Sequence, residues 1–310
     1  MRRSRPPVDL ATMVGSLALP NPIMTASGTS GHGAELAPYV ELGSLGAVVV
    51  KSLSAEPYPG NPAPRVHGTT TGMLNSVGLQ GPGVESWLER ELPPLLATGA
   101  RVVASIWGQR VEDFAKAATM LAEAPPQVVA IEVNVSCPNL EDRSRMFAHS
   151  PTATAEAVSA SAAGDRPRWV KLSPNVTDVR EIAGAALAAG AESLTLVNTV
   201  LGLAIDPETR APRLGAGGGG LSGPAIHPIA VRAVHDCRAA FPAASIVGVG
   251  GVTRGTDAIE LLLAGAAAVQ VGTATFANPR APARVLAEVA RWCQEHRVPR
   301  VTELIGAAHG

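Results

Sequence analysis

Ala47-Val48-Val49-Val50-Lys51 decides the fold. Its four apolar residues run without alternation, so neither side of the segment is marked for solvent. Such a run suits a strand covered on both faces, as in a parallel sheet. Similar runs recur at residues 23–26, 102–106, 128–135, 169–172, 193–197, 246–250 and 268–272, which makes eight candidate strands. Between them, Val179, Ile182, Ala183, Ala186 and Leu187 fall at helical spacing, and 229–240, 256–263 and 281–293 read the same way. Gly190 and Gly265 stand where helices end on glycine. Eight strands with crossover helices predict an α/β fold, a closed (β/α)8 TIM barrel rather than an open doubly wound sheet.

Two segments do not fit the alternation. Residues 52–100 and 198–227 are rich in Gly, Pro, Asn, Ser and Thr, and they follow strands two and six. In a barrel both insertions emerge on the C-terminal face, where barrel enzymes do their chemistry. The run Gly217–Gly220 in the second marks either mobile or close-packed backbone. No fixed-period repeat or dividing linker occurs, so residues 1–310 read as one domain with a short basic tail at 1–8.

Composition narrows the function. Hydrophobic residues make up 46% and charged residues 16%, enough for a large core and incompatible with a disordered chain. The balance of 25 basic against 26 acidic residues argues against an extended nucleic-acid surface or a polybasic membrane patch. Cys137, Cys237 and Cys293 are too widely spaced for a disulfide framework or for a metal or iron–sulfur ligand set. Arg2-Arg3 precedes no apolar export segment, and no run approaches the ~20 apolar residues of a membrane span. The expectation is a soluble cytoplasmic enzyme.

Polar residues gather at the strand ends. The only lysines are Lys51, Lys116 and Lys171, and two of the three close a strand. A lysine there either reaches solvent or is partly buried and needs an anion to offset desolvation. Asn134 and Asn198 end strands four and six, Asn139 follows in the next turn, and Asn75 lies in the first insertion. Such amides suit a heterocycle edged with C=O and N–H groups, or they simply serve turns and caps. Cys137 could act as nucleophile or proton-transfer base, with His149 as a possible spatial partner, or could be structural. Glycine-rich turns at Gly248-Val-Gly-Gly251 and Gly272-Thr-Ala-Thr275 follow strands seven and eight, where barrels bind phosphate.

Seven segments then carry a resemblance. They are Asn21-Pro-Ile-Met-Thr-Ala-Ser-Gly-Thr29, Gly60-Asn-Pro-Ala-Pro-Arg65, Gly72-Met-Leu-Asn-Ser-Val-Gly-Leu-Gln80, Asn134-Val-Ser-Cys-Pro-Asn139, Val170-Lys-Leu-Ser-Pro-Asn175, Gly219-Gly-Leu-Ser-Gly-Pro-Ala225 and Val271-Gly-Thr-Ala-Thr-Phe276. With them the chain resembles the class 1 dihydroorotate dehydrogenases over residues 17–305, and within them the catalytic subunit of the NAD-linked subclass 1B.

The resemblance implies an FMN-dependent oxidation of dihydroorotate to orotate in pyrimidine biosynthesis. It implies that Cys137 takes the C5 proton while the C6 hydride passes to flavin N5. By the same resemblance, Asn75, Asn134, Asn139 and Asn198 hold the pyrimidine, and the backbone at Val77, Gly78 and Leu79 receives its carboxylate. Lys51 assists near flavin and carboxylate, and Lys171 offsets negative charge on the reduced ring. Ala26, Ser27, Asn134 and Thr199 lie near the flavin, with Gly223, Gly250, Gly251, Gly272 and Thr273 at its phosphate end. An electron-transfer partner carrying FAD and a [2Fe–2S] cluster and a homodimeric core are also implied.

Several positions depart from the family pattern: Gly68, Gly81, Tyr58 with Pro59, and the lid loop Leu140-Glu-Asp-Arg-Ser-Arg-Met-Phe147, which has Arg143 and Ser144 in place of paired glycines. They motivate an alternative, a flavin enzyme for another dihydropyrimidine or a specialised metabolite. A third reading is a phosphate-ligand barrel without redox chemistry.

Overall fold

The computed structural model describes residues 7–139 and 145–310, leaving aside the side chains of 138 and 139. Eight strands form its central sheet: β1 (Ile23–Thr25), β2 (Val48–Val49), β3 (Val102–Ile106), β4 (Val128–Asn134), β5 (Arg168–Leu172), β6 (Ser193–Leu196), β7 (Ser245–Val249) and β8 (Ala268–Val271). Each pairs in parallel with its neighbours in chain order, and β8 pairs with β1. A parallel bridge between Met24 and Ala47 joins β1 to β2 and closes the ring. A side chain reinforces this seam, because the Val49 N–H donates to Thr25 Oγ1 at 2.9 Å. The barrel predicted from Val48-Val49-Val50 is present, and all three valines are buried. The strand stops before Lys51 because the Lys51 N–H turns away to Gly31 O at 2.9 Å.

Six helices follow the later strands: α1 (Val111–Ala122), α2 (Pro151–Ala160), α3 (Val179–Ala188), α4 (His227–Ala240), α5 (Gly255–Ala264) and α6 (Ala281–His296). Gly190 and Gly265 end α3 and α5 at φ +92° and +123°, which glycine adopts without a Cβ penalty. The regular alternation fails at the first crossover, where the described helix is one short turn, Leu42–Ser44. Helix α2 lies outside the expected set. Its core face is Thr154, Ala157 and Val158, too weakly apolar to show a helical stripe in the sequence.

The core has two compartments. Outside the sheet, strand and helix side chains pack together from Ile23 to Leu304. Inside it, Met24, Val49, Val103, Trp169 and Val247 fill the lower barrel, and Val14 and Leu19 of the hairpin Thr12–Val14/Leu17–Leu19 cover that end. The end carrying the strand C-termini holds a cavity.

The two insertions join over that end. Val200–Gly202, Gly219–Ser222, Gly72–Asn75 and Val66–Thr69 form one antiparallel sheet in that order. Glycine permits the approach: a Cβ on Gly72 would lie 2.0 Å from Ser222 O, and one on Gly220 would lie 2.1 Å from Thr199 Oγ1. At Gly219 and Gly220, the close-packed reading of the glycine run holds.

Candidate active site

A cavity of about 270 Å³ opens between the strand C-termini and this small sheet, close to the ~300 Å³ at which small-molecule sites begin. Lys51 enters it from the end of β2 and Lys171 from β5, which is in register with Asn134 of β4. The two lysines differ in their surroundings. Lys171 Nζ lies 3.7 Å from Glu132 Oε1, and the fully buried Glu132 also accepts from Gln270 Nε2 at 2.7 Å. Lys51 has no carboxylate within ion-pair distance among the described residues. Burial, and then the charge of Lys171, lower its pKa from 10.5 to about 8. A cavity with an uncompensated cation is prepared for an anion.

A polar network aims the amides. Asn134 Nδ2 donates to Ser52 Oγ at 3.2 Å, while its Oδ1 accepts from the Ser136 N–H and from Asn198 Nδ2 at 3.1 and 3.3 Å. Asn198 Oδ1 accepts from the Thr199 N–H at 2.8 Å. Each of Asn134 and Asn198 also keeps one amide N–H unused, which suits a ligand edged with carbonyls. Ser52 is itself bridged to Ser27 and to buried Ser105, at 3.2 and 2.9 Å. Asn75 reaches the same cavity from the small sheet. Beside it, Val77, Gly78 and Leu79 line the wall, with Gly78 and Leu79 both left-handed at φ +73° and +60°.

Glycines gather where the turns after β7 and β8 meet the second insertion. Gly223, Gly250 and Gly251 have φ of +99°, +141° and +69°, and Gly272 and Thr273 complete the end. A Cβ on Gly272 would press on Ala26 Cβ at 3.3 Å. Thr273 Oγ1 donates to Ser222 Oγ at 2.8 Å, tying the second insertion to this turn. Ala26, Ser27 and Thr199 line the stretch between the two ends.

Two expected site residues stand apart. Cys137 is fully buried and does not line the cavity; its Sγ lies 3.0 Å from Gly108 O and 3.2 Å from Asn134 O, two acceptors for its one S–H. Burial pushes its pKa up to about 12. His149 is exposed, so it does not partner the thiol. The side chain of Asn139 lies outside the described residues, as do positions 140–144 of the lid loop. Either side of them, Asn139 pairs with Arg145 and Pro138 with Met146, and Met146 lines the cavity.

Gly68, Gly81, Tyr58 and Pro59 do not line the cavity. Tyr58 and Gly81 exchange two backbone hydrogen bonds of 3.0 Å, and Tyr58 packs edge-on against Trp107. Sequence reading passed over Glu132 and Gln270, although each is a lone polar residue inside an apolar strand, in Val-Val-Ala-Ile-Glu-Val-Asn134 and Ala-Val-Gln-Val271. Ser52 and Ser105 gave no signal, because their role comes from barrel closure.

Among the described residues, no group of three or more His, Cys, Asp and Glu is placed to hold a metal ion. No helix there is long and apolar enough to cross a membrane.

Comparison with known proteins agrees with this geometry. The profile of the family described as dihydroorotate dehydrogenase matches residues 9–292. A Pelobacter propionicus protein named dihydroorotate dehydrogenase B (NAD(+)), catalytic subunit, is 45% identical over 300 residues, 96% of this chain and 98% of its own length. One of the same name from Desulforudis audaxviator is 46% identical over 303 residues, 97% and 98%. A Solibacter usitatus protein named putative dihydroorotate dehydrogenase A (fumarate) is 45% identical over 299 residues, 96% and 98%. With a matched profile, near full-length relatives and a closed barrel whose site opens at the strand C-termini, the chain belongs to the dihydroorotate dehydrogenase family, flavin-dependent oxidoreductases.

Proposed function

We propose that the chain oxidises dihydroorotate to orotate in pyrimidine biosynthesis with FMN as its resident cofactor. The observation that carries this reading is the single cavity in which Lys51, Lys171, three amides and a glycine-lined end converge. The residues fit FMN. The end walled by Gly223, Gly250, Gly251, Gly272 and Thr273 suits a phosphate, since a Cβ on Gly272 would crowd Ala26 there. Ala26, Ser27, Asn134 and Thr199 would flank the ring, and Lys171 would stabilise negative charge on it. When bound, FMN supplies the acceptor for the substrate's C6 hydride.

The chain's own groups do the rest. The N–H groups of Asn75, Asn134 and Asn198, with Asn139, hold the pyrimidine by its carbonyl edges. The backbone of Val77, Gly78 and Leu79, together with Lys51, receives the carboxylate, which gives the uncompensated Lys51 its counter-ion. Cys137 takes the C5 proton, so that the C5–C6 double bond forms as proton and hydride leave. Its thiol holds its proton while it faces Gly108 O and Asn134 O. Base work requires the thiolate: Sγ must turn from these carbonyls, lose its own proton to solvent and face the cavity, which its neighbour Ser136 already lines.

The names of the Pelobacter and Desulforudis relatives support an NAD-linked catalytic subunit served by an electron-transfer partner with FAD and a [2Fe–2S] cluster. A homodimeric single-domain core in the cytoplasm belongs to the same reading. The Solibacter relative's name supports fumarate as the second candidate acceptor. Orotate formation, followed with fumarate and with NAD plus the partner subunit, decides between the acceptors. Turnover of dihydrouracil in preference to dihydroorotate would overturn the substrate.

A further inference from the structure

His227 opens α4 directly behind the glycine turn. Its Nδ1 lies 2.8 Å from Gly250 O and its Nε2 lies 3.1 Å from Glu260 Oε2. Both partners are acceptors, one a carbonyl and the other an exposed carboxylate. A neutral imidazole has one donor and one acceptor nitrogen, so only the imidazolium satisfies both contacts.

The first contact orients the turn. The C=O of Gly250 and the N–H of Gly251 belong to one planar trans peptide and point in opposite directions. Pinning the carbonyl to the ring therefore aims the Gly251 N–H away from His227, on the side of the cavity that Gly251 lines. The fit is close, since a Cβ on Gly251 would lie 2.6 Å from His227 Cβ. Two glycines with positive φ cannot hold this orientation through side chains of their own.

We infer that His227, held between Gly250 and Glu260, is a positioning residue for the cofactor's phosphate end. The inference rests on the FMN reading above. The charges around the ring come from neighbouring elements. Glu260 and Asp257 face it from α5. Asp257 is raised by burial but lowered further by hydrogen bonds from Thr253 and the Arg254 N–H, with the charge of His227 adding to the lowering. Arg254 caps α5, and Arg284 of α6 reaches Thr253 O at 2.7 Å. From α3, Asp178 and Arg180 face Arg232 and Asp236, further along α4.

The experiment measures FMN and riboflavin dissociation constants of the full chain by flavin fluorescence at pH 7. Wild type, His227→Gln and His227→Lys are compared. H227Q should bind FMN about three- to ten-fold more weakly than wild type. Riboflavin, without a phosphate, should show no such difference. H227K, which keeps a donor for Gly250 O, should hold FMN more tightly than H227Q. FMN binding by H227Q equal to wild type, or equal losses for riboflavin and FMN, would overturn the inference while leaving the cofactor assignment standing. Failure of the wild-type chain to hold FMN at any pH would remove that assignment and this inference together.

Discussion

Lys171 Nζ stands 3.7 Å from Glu132 Oε1, and both side chains are buried beneath the cavity. Buried ions survive only with partners, and removing one leaves the other's desolvation uncompensated. Glu132→Gln should therefore destabilise the chain by about 3 kcal/mol. The double variant Glu132→Gln/Lys171→Met should lose much less than the sum of the two single losses. Urea denaturation of the four proteins checks this, and simple additivity would dismiss the pair.

Lys51 has the opposite problem, charge without a partner. Its pKa falls from 10.5 to about 8, so below pH 8 the folded state carries a buried cation that the unfolded state solvates freely. Between pH 8 and 10.5 the folded chain sheds this proton and the unfolded chain keeps it. The unfolded state then binds more protons, and stability rises with pH. Lys51→Met should stabilise the ligand-free fold by on the order of 3 kcal/mol at pH 7, and the gain should vanish as pH passes 10.5. The same variant should bind orotate more weakly. A gain that does not change with pH would refute the burial argument.

The sequence disclosed the barrel because parallel strands buried on both faces leave unbroken apolar runs, and Val48-Val49-Val50 is such a run. It disclosed the glycine turns and strand-end lysines because the cavity takes its walls from strand termini, whose order is the chain's order. The sheet made jointly by residues 66–75 and 200–222 was not legible, since its register depends on approaches such as Gly72 to Ser222. The facing of Cys137 toward Gly108 was equally hidden: the distance between β3 and β4 decides it, and local pattern carries no trace of that distance. Glu132 and Gln270 were legible but passed over, as lone polar residues inside apolar runs.

The departures at Gly68 and Gly81 lie off the cavity. A Cβ on Gly68 meets nothing within 4 Å, and one on Gly81 meets His32 Nε2 at 3.4 Å. Gly68→Glu and Gly81→Asn should each change stability by less than about 1 kcal/mol and leave the preference for dihydroorotate over dihydrouracil unchanged. A switched preference in either variant would place substrate choice in the first insertion.

Cys137→Ala should keep its bound flavin, because the thiol contributes no atom to the cavity lining. Flavin reduction by dihydroorotate should slow by ~10²–10⁴-fold, the usual worth of a general base. Reduction at the wild-type rate in stopped flow would show that another group takes the C5 proton.

The most direct measurement is a single turnover. FMN-loaded protein is mixed anaerobically with one equivalent of dihydroorotate, and the visible flavin absorbance is followed alongside orotate. The account predicts rapid bleaching with one orotate formed per flavin reduced. A bound flavin that stays oxidised, with no orotate released, would contradict it.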